Sequence, residues 1–424
     1  MFQLVFADQK SRVFEHPQLT MLGRSGDRLV KPRGEDMIPL PEGASLILLP
    51  GRAPVGAERR KKGTVTIDAN PYGGKGGPVT AVAALLPQGY TRTLLPGYVT
   101  RQDVVLPLYG YAAVGWREGR FYVAAVQTDE DDTWNPRHFN TDSLEELVEQ
   151  RLATCPANRI LRQLSVCALE YGCYTAQNIF YRRWEGGIPV SPTCNARCVG
   201  CISLQPSECC PSPQERINFS PSVEEIVEVA VPHLEGADQG IVSFGQGCEG
   251  EPALAARPVA EAIRNIRSST SRGTINMNSN AGFTEGVREV VTAGLDSIRV
   301  SLNSPDPEKY LAYYRSGYSL TCVAESLKFA AREGTLTSLN LLVFPGVTDE
   351  VDEIERLVEF VRNNELKMIQ LRNLNIDPDV YTRLFPVAAK TVGMSGFVRV
   401  LRDRLPGVTI GSYSRPARNR SGNN

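Results

Sequence analysis

Three cysteines fall within eight residues, Cys194-Asn-Ala-Arg-Cys198-Val-Gly-Cys201, spaced C-x3-C-x2-C. Thiolates are soft ligands that suit iron–sulfur clusters and zinc. Three of them on one loop can hold three corners of a [4Fe–4S] cube and leave one iron without a protein ligand. An open metal position is where chemistry happens, in contrast to a closed structural site. The competing reading is a zinc site completed by Cys209 or Cys210. Structural zinc usually shows paired C-x2–4-C knuckles or a Cys/His mixture. Here the first gap is three, the nearest fourth ligand is an adjacent Cys-Cys, and the chain has only three histidines, so the cluster is favoured.

The extended run Ile188-Pro-Val-Ser-Pro-Thr ends where the first cysteine begins, and strand–helix alternation follows the third. This combination resembles the radical S-adenosylmethionine (radical SAM) superfamily over about residues 187–378, a little under half of the chain. The resemblance implies two cofactors, a [4Fe–4S] cluster and SAM, and an electron donor of flavodoxin or ferredoxin type. It implies reductive cleavage of SAM to methionine and a 5′-deoxyadenosyl radical, which abstracts a hydrogen atom from a substrate. It also assigns residues. The tail of Gly245-Gln-Gly-Cys-Glu-Gly-Glu-Pro252 is similar to the family's Gly-Gly-Glu-Pro motif, which places Gly250 and Glu251 at the amino group of SAM. Ser301 matches a serine near the SAM carboxylate or ribose, and Asn280 an asparagine near cofactor or substrate. The family carries an aromatic residue beside the adenine just before the third cysteine, where this chain has Gly200.

The elements that must position these residues follow from periodicity. Strand-like runs lie at about 240–245, 274–278, 297–302, 336–344 and 368–372, with helical patterns near 222–235, 253–268, 284–293, 320–333 and 350–364. Ser222 with Glu225 forms an S-x-x-E helix start. With a strand before Cys194 the count is six, which predicts an α/β fold with a partial (β/α)6 TIM-like barrel. Ligands of such folds bind outside the carboxyl ends of the strands. Small polar groups there, including Asn280, Ser301 and Asn303, suit a ligand with hydroxyls, a carboxylate and an amine. Arg372 faces cofactor or substrate, or forms a surface salt bridge.

Residues 1–135 read as a β-rich N-terminal domain, a candidate for substrate or partner binding, with a hairpin at Tyr111–Trp116 and Phe121–Val126. The basic run 59–62 and the glycine-rich stretch 72–78 read as solvated loops or as a phosphate- or substrate-capturing arm. Residues 136–186 predict a helical connector. Ser143-Leu-Glu-Glu146 reads as a capping box there, and Ile160, Leu161, Leu164, Cys167, Ala168 and Tyr171 share one helix face. Cys155, Cys167 and Cys173 are a minor candidate for a second cluster. Residues 379–424 predict a less regular C-terminal extension ending in a disordered tail.

At 424 residues the chain predicts two or three domains, and 42% hydrophobic with 22% charged residues is ordinary for a soluble globular protein. A net charge of −1 argues against dominant nucleic-acid binding. No bilayer-length apolar run or signal-peptide pattern is present, which predicts a cytoplasmic protein without membrane contact. The first functional expectation is a radical SAM enzyme acting on a protein or RNA. The alternatives are a small-molecule enzyme of cofactor biosynthesis and a non-catalytic metal-cluster binding protein. The last cysteine is Cys322, which argues against a downstream auxiliary cluster; a methyl-transfer route through Cys248 or Cys322 is a minor alternative.

Overall fold

The computed structural model describes all residues except 59–62, 73–76, 131, 206–209, 211, 387–389 and 418–424. The basic run, most of the glycine-rich stretch, Cys209 and the end of the tail therefore lie outside the described residues. Among the described residues the strands form three sheets. One is wholly parallel and runs in sequence order: Glu185–Gly187, Ile241–Phe244, Thr274–Ser279, Ser297–Leu302, Leu336–Val343, Met368–Asn373 and Thr409–Gly411. These are called strands one to seven below.

Helices alternate with these strands close to the expected positions: Val223–Gly236, Ala256–Ser269, Thr284–Thr292, Leu320–Arg332 and Val351–Asn363. The expected capping box at Ser222 is formed: Ser222 Oγ accepts from Glu225 N–H at 3.2 Å, and Glu225 accepts from Ser222 N–H at 2.8 Å. The one expected at Ser143 is not. Its side chain makes no cap bond to helix Leu144–Thr154, and its hydroxyl lies 3.1 Å from that of Thr141 instead.

Two features depart from the expectation. Strand one lies at 185–187, just upstream of the run assigned to it. The region after 378 is also more regular than expected, with helices Pro378–Leu384 and Met394–Arg404 and then strand seven, which pairs with strand six. Met394, Phe397, Val398 and Leu401 are buried at helical spacing, which is why that helix packs. The six-strand partial barrel is present, and strand seven extends it.

Residues 3–127 form an antiparallel β module, the front module. Its hairpin pairs Tyr111–Arg117 with Arg120–Gln127, and Trp116 faces Phe121. Glu118 and Gly119 carry positive φ (51° and 81°), as a two-residue turn matching strand twist requires. The connector helices Arg159–Leu169 and Tyr174–Tyr181 share one hydrophobic core with the barrel, where Leu164, Ile179 and Phe180 join Ile226, Val242 and Phe244. Cys167 is 1% exposed and packs in that core as expected.

The front module docks on the barrel through buried polar groups. Arg92 is fully buried, and its guanidinium donates to the Leu374 carbonyl at 2.9 Å. Arg92 N–H donates to Asn373 Oδ1, and Asn373 Nδ2 to the Tyr90 carbonyl, each at 2.9 Å. Arg52 pairs with Asp377 at 3.0 Å, and Arg24 with Asp379 at 2.8 Å. Among the described residues no helix is long and apolar enough to cross a membrane.

Candidate cluster and cofactor site

The cysteine loop is held from two sides. On one side, helix Pro307–Tyr314 ends at Arg315 in the left-handed region (φ 46°). A helix leaves its last carbonyls without partners inside the helix. The loop supplies partners: Arg197 N–H donates to the Tyr314 carbonyl at 2.9 Å and Val199 N–H to the Tyr313 carbonyl at 3.0 Å. On the other side, the run 188–193 is tied to the loop after strand two by Glu249. One carboxylate oxygen accepts from Val190 N–H (2.7 Å) and Ser191 N–H (2.9 Å). The other accepts from Gly245 N–H (2.6 Å) and Gln246 N–H (2.7 Å). Burial raises this carboxyl to about 7, although the four donors pull the other way.

Gly250 N–H donates to the Ser191 carbonyl and Glu251 N–H to the Thr193 carbonyl, both at 2.7 Å. A Cβ on Gly250 would lie 1.9 Å from the Thr193 oxygen, so this approach requires glycine. Glu251 is 3% exposed, and one of its oxygens accepts from Ser279 Oγ (2.5 Å) and Ala253 N–H (3.1 Å). The other accepts from Asn280 N–H at 2.7 Å. Three of roughly four acceptor positions of this carboxylate are thus taken by the protein. Asn280 Nδ2 donates to Asn195 Oδ1 at 2.7 Å, which links the end of strand three to the cysteine loop.

Burial raises the thiol pKa values of Cys194 and Cys198, and the neighbouring thiols push the same way. Arg216 donates to Cys201 Sγ at 3.5 Å and to Ser203 Oγ at 3.1 Å. Among the described residues no three His, Cys, Asp or Glu side chains converge as a single ion requires. Three thiols on one loop, within electrostatic reach of each other yet not gathered on one point, fit three corners of an iron–sulfur cube. Cys210 lies within electrostatic reach of Tyr111 of the front module. The trio Cys155, Cys167 and Cys173 is not assembled. Cys155 sits by Arg151 and Glu228, whereas Cys167 is hydrogen-bonded to Cys248, with Cys173 nearby.

A cavity of ≈ 440 Å³ opens at the carboxyl ends of the strands. Gly200, Ser301, Tyr313, Asn340 and Arg372 line it, with Gln88 and Tyr90 contributed by the front module. A Cβ on Gly200 would lie 2.9 Å from the Tyr313 hydroxyl and 3.2 Å from the Asn375 carbonyl. The space an aromatic side chain at 200 would need is therefore taken by Tyr313. Tyr313 belongs to a buried tyrosine wall with Tyr310 and Tyr314, spaced i, i+3, i+4 on one helix and not foreseen from the sequence. Burial raises all three phenols, so they stay neutral.

Arg372 forms no salt bridge among the described residues. Its guanidinium donates to three amide oxygens, Asn340 Oδ1 (3.3 Å), Gln88 Oε1 (3.0 Å) and Gln370 Oε1 (3.0 Å). Burial, reinforced by Arg299, lowers its pKa to about 10. Deeper in the barrel, Glu185 accepts from Ser243 Oγ at 2.6 Å, from Arg299 at 3.1 Å and from Ser414 Oγ. Of the seven residues expected on the cofactor side, Gly200, Ser301 and Arg372 line the cavity, and Gly250, Glu251 and Asn280 pack against the cysteine loop. Asn303 does neither; it is 3% exposed and donates to the Lys309 carbonyl at 3.3 Å. Glu249, Arg216 and Gln88 were not foreseen. Their partners are distant in sequence, and no local pattern announces them.

Residues 188–361 match the model of the radical SAM superfamily. This stretch is a radical SAM domain. Radical SAM domains bind a [4Fe–4S] cluster and SAM, and the three thiols fit that pair. A GTP 3′,8-cyclase of Peptoclostridium acidaminophilum is 32% identical over 182 residues, covering 42% of this chain and 52% of the relative. A GTP 3′,8-cyclase of Marinobacter nauticus is 29% identical over 189 residues, covering 42% and 50%. The chain spans about half the length of these curated relatives. Among solved structures, the [FeFe]-hydrogenase maturase HydG aligns at a TM-score of 0.38 and 15% identity, over 66% of this chain and 64% of that one. A spore photoproduct lyase aligns at 0.38 and 12%, over 62% and 96%.

Proposed function

We propose that the protein is a radical SAM enzyme acting on a small anionic molecule held between the barrel mouth and the front module. The observation that carries this reading is Arg372, a cation beside the cavity whose partners are three neutral amide oxygens. Glu185 and Asp129 act on this guanidinium only at longer range, and no carboxylate hydrogen-bonds it among the described residues, so a ligand anion can take that contact. The relatives are named for action on GTP, a small anion, which supports the small-molecule alternative over a protein or RNA substrate. A nucleotide is therefore the first substrate class to test.

When bound, the cluster and SAM supply reductive cleavage of a carbon–sulfur bond and a radical able to take a hydrogen atom. Cys194, Cys198 and Cys201 would hold the iron. The backbone at Gly250 and Glu251, with Asn280, would shape the side that meets the amino group of SAM, and Ser301 would face its polar end. Glu251 itself would act mainly by pinning strands two and three. Arg372, steadied by Asn340 and Gln88, would orient the substrate anion, and the front module would exclude water.

The test is anaerobic purification, reduction and addition of SAM, followed by assay for 5′-deoxyadenosine. Formation without substrate supports the chemistry. A nucleotide panel should then raise the rate and yield a new product. Arg372→Gln should lose at least about tenfold of that stimulation while keeping uncoupled cleavage. A colourless, zinc-loaded protein would refute the reading.

A further inference from the structure

The floor beneath the cavity is charged. Ser301 on strand four lines the cavity, and Arg299, two positions earlier on the same strand, faces the same way one layer deeper. Glu185, Ser243, Arg299 and Gln370 meet at this depth, and each is at most 6% exposed. Interiors of β/α barrels are usually filled by bulky aliphatic side chains. A buried polar layer is tolerated only where its groups find partners. Here they do so in a particular order. One nitrogen of Arg299 donates to Glu185 at 3.1 Å and to Asn278 Oδ1 at 3.0 Å, and the other to Ser414 Oγ at 2.8 Å. Glu185 also accepts from the Ser243 and Ser414 hydroxyls. Burial pushes its carboxyl up, but Arg299 and the two hydroxyls outweigh that and hold it below the ordinary value, so it stays ionised.

Glu185 makes no hydrogen bond to Arg372 among the described residues, although the two lie within electrostatic reach. Asp129, the other acid acting on Arg372, is paired with Arg415 at 3.4 Å. Glu185 therefore brings one negative charge to a floor that holds two guanidiniums, and Arg299 is the one that takes it.

We propose that Arg299 is a positioning residue for the anionic substrate: by occupying Glu185 it leaves the charge of Arg372 for the ligand. The proposal rests on the small-anion reading and adds the group that sets how strongly the cavity attracts negative charge.

The experiment measures the dissociation constant of a nucleoside triphosphate, the tightest of a panel, by equilibrium dialysis against the cluster-loaded full-length protein at matched iron content. Arg299→Gln leaves Glu185 uncompensated beneath Arg372 and should weaken binding about tenfold, whereas Arg299→Lys keeps the charge and should stay within about twofold of the parent. Glu185→Gln removes the competing negative charge and should tighten binding about fivefold. A merely structural role would weaken binding in both glutamine variants. A gain of affinity cannot come from misfolding, so Glu185→Gln keeps the test decisive if Arg299→Gln folds poorly. Weaker or unchanged binding in Glu185→Gln, or equal affinities in Arg299→Gln and Arg299→Lys, would overturn the role of Arg299 and leave the small-anion reading intact. A parent protein that binds no nucleoside triphosphate would overturn both.

Discussion

Cys198 and Glu249 show two kinds of dependence at the scale of single residues. Cys198 is one of the three thiols proposed to hold the iron, and an alanine there has no ligand atom to offer in exchange. Cys198→Ala should bring iron and sulfide content to background while circular dichroism stays native, since the side chain fills little of the core. Glu249 has a structural task, tying the run before Cys194 to the loop after strand two. Its carboxyl titrates near 7 in the fold against an ordinary 4.5. The folded state therefore holds that proton more tightly than the unfolded chain does. The associated stability is present in full below about 4.5, is lost as pH rises through about 7, and stays constant above it. The expected loss from this group is at most about 3 kcal/mol. Urea unfolding at pH 5 and pH 8 should show it, and Glu249→Gln should flatten the slope. The amide turns an NH2 toward two N–H donors, so the variant should also be weaker throughout by about 1–3 kcal/mol. The three cysteines were legible because ligand spacing is local. Glu249 was not, because its donors come from two separate segments and only folding brings them together.

At the scale of elements, the run 191–193 lies against 250–251 with room for a hydrogen atom and nothing larger. Gly250→Ala should push the run away from the motif, costing about 1–3 kcal/mol, and lower iron occupancy after reconstitution. Iron assay and thermal unfolding on the same sample would check both effects together. Strand–helix alternation was readable because short apolar runs are separated by helices of 9 to 14 residues that carry the 3.6-residue period. Helix Pro307–Tyr314 was not foreseen. It has only eight residues, and its buried side chains are tyrosines, which count weakly as apolar. Ser222 and Ser143 show the limit of a capping motif: the same pattern formed its reciprocal bonds at one helix start and not at the other.

At the scale of the whole molecule, the front module and barrel act as one body because charges are buried between them. Asp377 accepts from Arg52 at 3.0 Å and from Leu106 N–H at 2.8 Å, and both charged side chains are nearly inaccessible. Asp377→Ala would leave Arg52 only its longer contact with Asp379 at 3.4 Å and the Pro50 and Gln102 carbonyls, so the unfolding free energy should drop by about 2–3 kcal/mol, measurable by urea titration. An unchanged midpoint would mean that the two parts are far less coupled than this contact implies. None of this docking was legible in the chain, because Arg52 and Asp377 are 325 positions apart and nothing near either names the other. Gln88 and Arg372 are similarly remote, 284 positions apart. One wall of the cavity is thus encoded hundreds of codons away from the other. Transplanting the short stretch from Pro87 to Tyr90 between homologues offers a way to retune selectivity while the chemistry-bearing scaffold stays untouched.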